Sequence, residues 1–206
     1  MSSKIRLVAG LGNPGSQHAA DRHNAGFWLL DELARRAGSS FHAESKFFGE
    51  ICEVSLAGSR LRLLKPQTYM NRSGLSVAAL AHFFKFEVDE ILIVHDEIDI
   101  PSGELRVKQG GGHGGHNGLR DIIQHLSSPG FARVRIGVGH PGQKDHVKDF
   151  VLHAPGRDEE ALIRTSIDKA LDYLPKLVDG HFAEAMNALH RRTHREQVEG
   201  DKQDGG

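Results

Sequence analysis

The chain has one cysteine, Cys52, among 206 residues. No internal disulfide can form, a reducing compartment suits it, and a cysteine-based zinc site is excluded. It also lacks a large charge of one sign. Its 26 Lys and Arg stand against 27 Asp and Glu, for a formal net charge of −1. Any nucleic-acid partner must therefore be held by a local basic patch rather than by the overall field. Long hydrophobic runs are missing. The apolar stretch in MSSKIRLVAGLGNPG is too short for a signal peptide and is interrupted by Arg6. Nothing approaches a membrane span, so a cytoplasmic protein without membrane contacts is expected. There is no internal repeat and no linker. A 206-residue chain that is 38% hydrophobic and 26% charged suits one globular domain. We expect that domain over 1–194, followed by a disordered polar tail at 195–206.

The pattern along the chain predicts an α/β fold: a single-domain sandwich with a central mixed β-sheet flanked by helices. Ile5 to Gly10 reads as a buried strand, and a polar loop follows to about His23. The next stretch is helical, with Phe27, Leu30, Leu33 and Ala34 on one face, Asn24 as its cap and Gly38 at its end. Residues 48–56 and RLRLLK form a hairpin around Ala57-Gly58-Ser59. Asn71 or Ser73 then caps the helix GLSVAALAHFF. EILIVHDEIDIP is a buried strand ending in acids, ELRVKQ and FARVRIGVG are further strands, and LRDIIQHL is a short helix. From Asp158 to Leu189 the pattern is helical, with breaks expected near Pro175 and Gly180.

Ligands in such sheets gather where loops leave the carboxyl ends of strands. Four segments there are unusual: GLGNPGSQHAADRHN, PQTYMNRSG, HDEIDIP and GGGHGGHNG. Gly10, Gly12 and Gly15 fit G-x-G-x-x-G after a strand, which raises a nicotinamide dinucleotide site. The helix, however, begins about ten residues too late to face a pyrophosphate, and the next strand carries no ribose-binding acid at its end. GGGHGGHNG lets the backbone approach a ligand closely, and free N–H groups at the helix start after it favour an anion. Asn117 sits near that cap. His23 precedes the first helix and Asp96 lies at a strand end. An imidazole held by a carboxylate can act as a general base. The residues alone also allow His23 as a second cap and Asp96 as a turn residue, because no spacing rule pairs them.

The 14 histidines invite a metal reading. Neither His113 with His116 nor His190 with His194 stands in an H-E-x-x-H frame, so no metal site is expected. Basic residues cluster at Arg60, Arg62 and Lys65, at Arg106 and Lys108, at Arg133 and Arg135, at Lys144 and Lys148, and at Arg191, Arg192 and Arg195. Charge runs are usually solvated faces. Lys108, Arg135 and Lys144 nevertheless flank the unusual loops and could form a phosphate-contacting rim.

GLGNPG, RHNAG, KFFGE, LLKPQTYMNRSG, HDEIDIPSG, GGGHGGHNGLRDI and RIGVGHPG together resemble bacterial peptidyl-tRNA hydrolase, in family order and across roughly residues 5 to 192. The resemblance implies hydrolysis of the ester between a nascent peptide and the terminal ribose of tRNA, by a mixed-sheet monomer without cofactor or metal. It assigns His23 as the residue that activates water and Asp96 as the acid that keeps it ready to accept a proton. Asn13 would bind the peptide main chain and help reject a free amine. Tyr69, Met70, Asn71, His116 and Asn117 would line the substrate site, and Lys108 and Arg135 would meet tRNA phosphates. The sequence departs from the pattern at His18, where the family usually has Tyr and where a substrate contact is expected to be altered rather than lost, and at Tyr69, where the family often has Phe. Two other readings stand beside this one: an RNA-binding module without catalysis, and a nucleotide-dependent enzyme.

Overall fold

A computed structural model describes residues 3–189. The expected tail, the domain boundary at 194, and His190, His194, Arg191, Arg192 and Arg195 lie outside the described residues.

Seven strands form one sheet: β1 (Leu7–Gly10), β2 (His42–Glu44), β3 (Gly49–Leu56), β4 (Ser59–Pro66), β5 (Ile91–Glu97), β6 (Leu105–Gln109) and β7 (Ala132–Gly137), in the order β2-β3-β4-β1-β5-β7-β6. β1 runs parallel to β4 and β5, and β5 parallel to β7, while β2, β3 and β6 pair antiparallel with their neighbours. The expected mixed sheet is therefore present. The helices are α1 (Ala25–Arg36), α2 (Ser73–Phe84), α3 (Asn117–Leu126), α4 (Val147–Val151), α5 (Arg157–Val178) and α6 (Phe182–Leu189).

Alternation along the strands divides the apolar side chains between two layers. Val8, Leu63, Leu92, Val94, Val134 and Ile136 pack with α1, α5 and α6. Leu7, Ala9, Leu64, Ile91 and Ile93 pack with α2 and α3. The sheet is thus a filling between two helical layers. The parallel strands β1, β4, β5 and β7 end together at Gly10, Pro66, Glu97 and Gly137, and the chain leaves β1 for α1 on one face of the sheet and the neighbouring β4 for α2 on the other. That is where an open α/β sheet places its crevice.

Where β1 meets α1, backbone packs on backbone. A Cβ on Gly26 would lie 2.4 Å from the Leu11 nitrogen and 2.5 Å from the Val94 oxygen. Only glycine lets the helix start sit this low over the strand ends, and His23 and Asn24 are carried there with it.

Several local expectations are corrected. Asn24 precedes α1 but makes no capping bond, because its amide is occupied elsewhere. Arg72, not Asn71 or Ser73, stands at the start of α2, and the Ser73 hydroxyl donates to the Met70 carbonyl at 2.7 Å. His116, not Asn117, caps α3, its Nδ1 accepting from the Leu119 N–H at 3.4 Å. Helix α5 passes through Pro175 to Val178. Proline removes one backbone bond near the helix end, and the buried Leu174, Leu177 and Val178 hold that turn against the core. The break at Gly180 stands, with φ +82°. The short β2 and α4 carry too little periodicity to be seen in sequence.

Candidate active site

The stretch before α1 contains two 3₁₀ turns, Ser16–His18 and Arg22–Asn24. The second puts His23 against the end of β5, only 8% exposed. His23 Nδ1 lies 2.9 Å from each carboxylate oxygen of Asp96. Asp96 is 2% exposed and also takes His116 Nε2 at 3.0 Å. A buried carboxylate can only accept, so both ring nitrogens facing it carry protons. That assigns the tautomers: His116 accepts from Leu119 through Nδ1, and His23 Nε2 bears a lone pair. Among the described residues His23 Nε2 has no hydrogen-bond partner, and it is not among the atoms sealed from solvent.

Burial alone would pull the His23 pKa down. The charge and hydrogen bond of Asp96, and more weakly the charge of Asp21, outweigh it and leave the imidazole above its ordinary value. Burial also works against the Asp96 charge, but His23 and His116 together hold that carboxyl far below the usual range. His95, beside Asp96, is fully buried. Its desolvation, reinforced by His116, lowers its pKa to about 3. His95 Nδ1 donates to the Asp96 carbonyl at 2.7 Å, and its ring meets His116 edge-on with centroids 4.9 Å apart. The array is therefore one anion, two imidazoles donating to it, and a third imidazole that stays neutral.

His23, Asp96 and His116 offer ligand atoms within 4.8 Å of one another, a spacing one metal ion could bridge. The tautomers work against it. A metal needs lone pairs on His23 Nδ1 and His116 Nε2, and moving the His116 proton to Nδ1 would set it against the Leu119 N–H. The geometry fits a hydrogen-bonded array better than a metal centre.

The neighbouring loops are stitched to this array by amides. Asn24 Oδ1 accepts from the Asn13 N–H at 2.9 Å and Asn24 Nδ2 donates to the Asn13 carbonyl at 3.0 Å. Asn13 Oδ1 in turn accepts from the Met70 N–H at 2.8 Å. With its oxygen so engaged, Asn13 presents its NH₂ group. The β1–α1 connection and the segment after β4, far apart in sequence, thus share one lattice of amide bonds.

The chain matches the peptidyl-tRNA hydrolase family over residues 7–197. The chain belongs to that family. A peptidyl-tRNA hydrolase from Halorhodospira halophila is 55% identical over 186 residues, covering 90% of this chain and 96% of the relative. One from Coxiella burnetii is 51% identical over 190 residues, 92% of this chain and 100% of the relative. The crystal structure of the peptidyl-tRNA hydrolase from Acinetobacter baumannii superposes with a TM-score of 0.90 at 46% identity, covering 94% of this chain and 98% of that one.

The family-based site residues fall into four groups. His23, Asp96, Asn13, Met70 and His116 are joined by the bonds above. Met70 is buried and contributes its backbone N–H, and His116 reaches inward to Asp96. Tyr69, Asn71 and Asn117 flank these residues and are exposed, Tyr69 at 61%. Lys108 and Arg135 project from the sheet face that carries α3, where Arg135 pairs with Glu97 at 3.0 Å. His18 turns toward Asp21, with Nδ1 2.7 Å from Oδ2. The sequence reading missed Asn24 as a clamp, because an Asn before a helix looks like a cap. It also missed Arg22, whose guanidinium holds the carbonyls of Phe150, His153 and Ala154 and pairs with Glu159 at 2.7 Å. Nothing in the sequence marks that strut, because the burial of Arg22 beside His23 is a property of the fold.

Proposed function

We propose that this protein hydrolyses the ester between a peptide and the terminal ribose of tRNA, acting as a cytoplasmic monomer on peptidyl-tRNA and returning free tRNA to translation. His23 Nε2 takes a proton from water as that water attacks the ester carbonyl; the tetrahedral adduct then breaks its bond to the ribose oxygen, which takes that proton from Nε2 and leaves as the free hydroxyl of tRNA while the peptide leaves as its acid. Asp96 keeps the proton on Nδ1 and stabilises the imidazolium as it forms. The single observation that supports this most is the His23–Asp96 contact at 2.9 Å with Nε2 left free, in a chain of this family. The NH₂ group of Asn13 is placed to meet the acyl main chain, and Asn71 and Asn117 lie on segments beside it. General-base assistance supplies about 10²–10⁴-fold, so positioning by these amides supplies much of the rest. Lys108 and Arg135 serve the RNA phosphates.

The test is release of N-acetyl-amino acid from N-acetylaminoacyl-tRNA. We expect multiple turnovers on the blocked substrate and far slower cleavage when the amine is free. Tight binding of the blocked substrate without turnover would replace this reading with an RNA-binding module.

A further inference from the structure

Arg133 is 3% exposed, and no carboxylate pairs with it among the described residues. Its guanidinium lies over the Phe131 ring, 4.6 Å from the centroid. Nη1 donates to the Gly112 carbonyl at 2.6 Å and Nη2 to the Gly111 carbonyl. A buried cation spent on two loop carbonyls is costly unless it fixes something. What it fixes is the glycine-rich loop leading to His116. Gly110, Gly111, Gly114 and Gly115 all have positive φ, from +57° to +97°, so the loop has little stiffness of its own.

Peptide planarity decides the consequence. In a trans peptide the C=O and the following N–H point opposite ways, and there are no cis bonds here. Arg133 draws the carbonyls of Gly111 and Gly112 down onto the sheet. The N–H groups of Gly112 and His113 must then point away from it. Neither donates within the described residues. The Lys108 ammonium stands beside Gly111, 2.7 Å from where a Cβ would be.

We propose that Arg133 is a positioning residue that turns the Gly112 and His113 amides outward as a seat for a phosphate of the RNA acceptor strand, next to Lys108. Paired backbone N–H groups beside a cation are a general anion-binding arrangement. The inference rests on the reading that the substrate is an acylated tRNA.

The test compares wild type, Arg133→Lys and Arg133→Met on N-acetylaminoacyl-tRNA and on N-acetylaminoacyl-adenosine, which has no phosphate. Both variants should raise KM for the tRNA substrate by about tenfold or more, with kcat on the adenosine ester within about twofold. Lysine keeps the charge but offers one compact ammonium in place of a planar fork whose two nitrogens each reach a separate carbonyl, so it should not rescue. Wild-type KM in Arg133→Lys, or equal damage on both substrates, overturns the proposal. If the variants fail to fold, amide NMR of the wild type decides. The Gly112 and His113 resonances should shift and saturate with a CCA trinucleotide, which carries phosphodiester groups, and not with adenosine, which carries none; no such difference overturns it. Wild type that turns over neither ester refutes the parent reading instead.

Discussion

Two imidazoles sharing a carboxylate give the site its pH behaviour. His23 must be neutral to accept a proton, and its pKa is raised by Asp96. The acid limb of kcat/KM should therefore fall at a pH above the ordinary 6.5. Asp96→Asn removes the raising influence, so the limb should move to lower pH while kcat drops by about 10²–10⁴; a pH–rate profile of both proteins checks this. For stability, the raised His23 pKa gives a contribution complete below pH 6.5 and lost as pH rises through the folded value. His95 has the opposite sign. Its pKa falls to about 3, so the fold resists its protonation, and its contribution is complete above 6.5 and lost on acidification toward 3. His95→Phe should relieve that loss by about 2 kcal/mol near pH 4.5, measured as urea unfolding at pH 7 and pH 4.5. A parallel loss in both proteins would place the acid sensitivity elsewhere.

The elements that carry these residues depend on close approach. Gly26 has no room for a methyl group against the Leu11 and Val94 backbones. Gly26→Ala should cost about 1–3 kcal/mol, read as a lower urea midpoint at unchanged m, and should move His23 enough to lower kcat. At this scale the sequence was informative where periodicity is strong. The hairpin through Ala57 and Gly58, both at positive φ, and the helix from Ala25 follow from local chemistry. His23 and Asp96 could be named as candidates, but their pairing could not be derived: they are brought together by sheet register and the Gly26 contact, which are tertiary facts. The family resemblance supplied what spacing did not. The Asn24 clamp, the Arg22 strut and the Arg133 tether remained hidden for a related reason. Asn and Arg have many plausible surface roles, and only burial selects among them.

Across the whole molecule, a net charge of −1 must coexist with a polyanionic substrate. The β6–β7 face gathers basic side chains locally. Lys108 stands in register with Arg133, and Arg106 with Arg135. Like charges directly opposite across a ladder cost stability, and Glu97 and Glu104 compensate only part of them. Lys108→Ala should raise KM for the tRNA substrate more than it lowers kcat and flatten the dependence of log KM on log salt by about one unit. An unchanged slope would mean that Lys108 meets no phosphate. No helix among the described residues is long and apolar enough to cross a membrane, and the match to relatives spans nearly their full length. The decisive measurement is the turnover of N-acetylaminoacyl-tRNA by purified wild type and His23→Ala at equal concentration, with tRNA binding measured alongside. Removal of the imidazole should leave a folded, tRNA-binding protein with its hydrolysis reduced by about 10²-fold or more. Turnover close to wild type in His23→Ala would contradict the general-base role of His23.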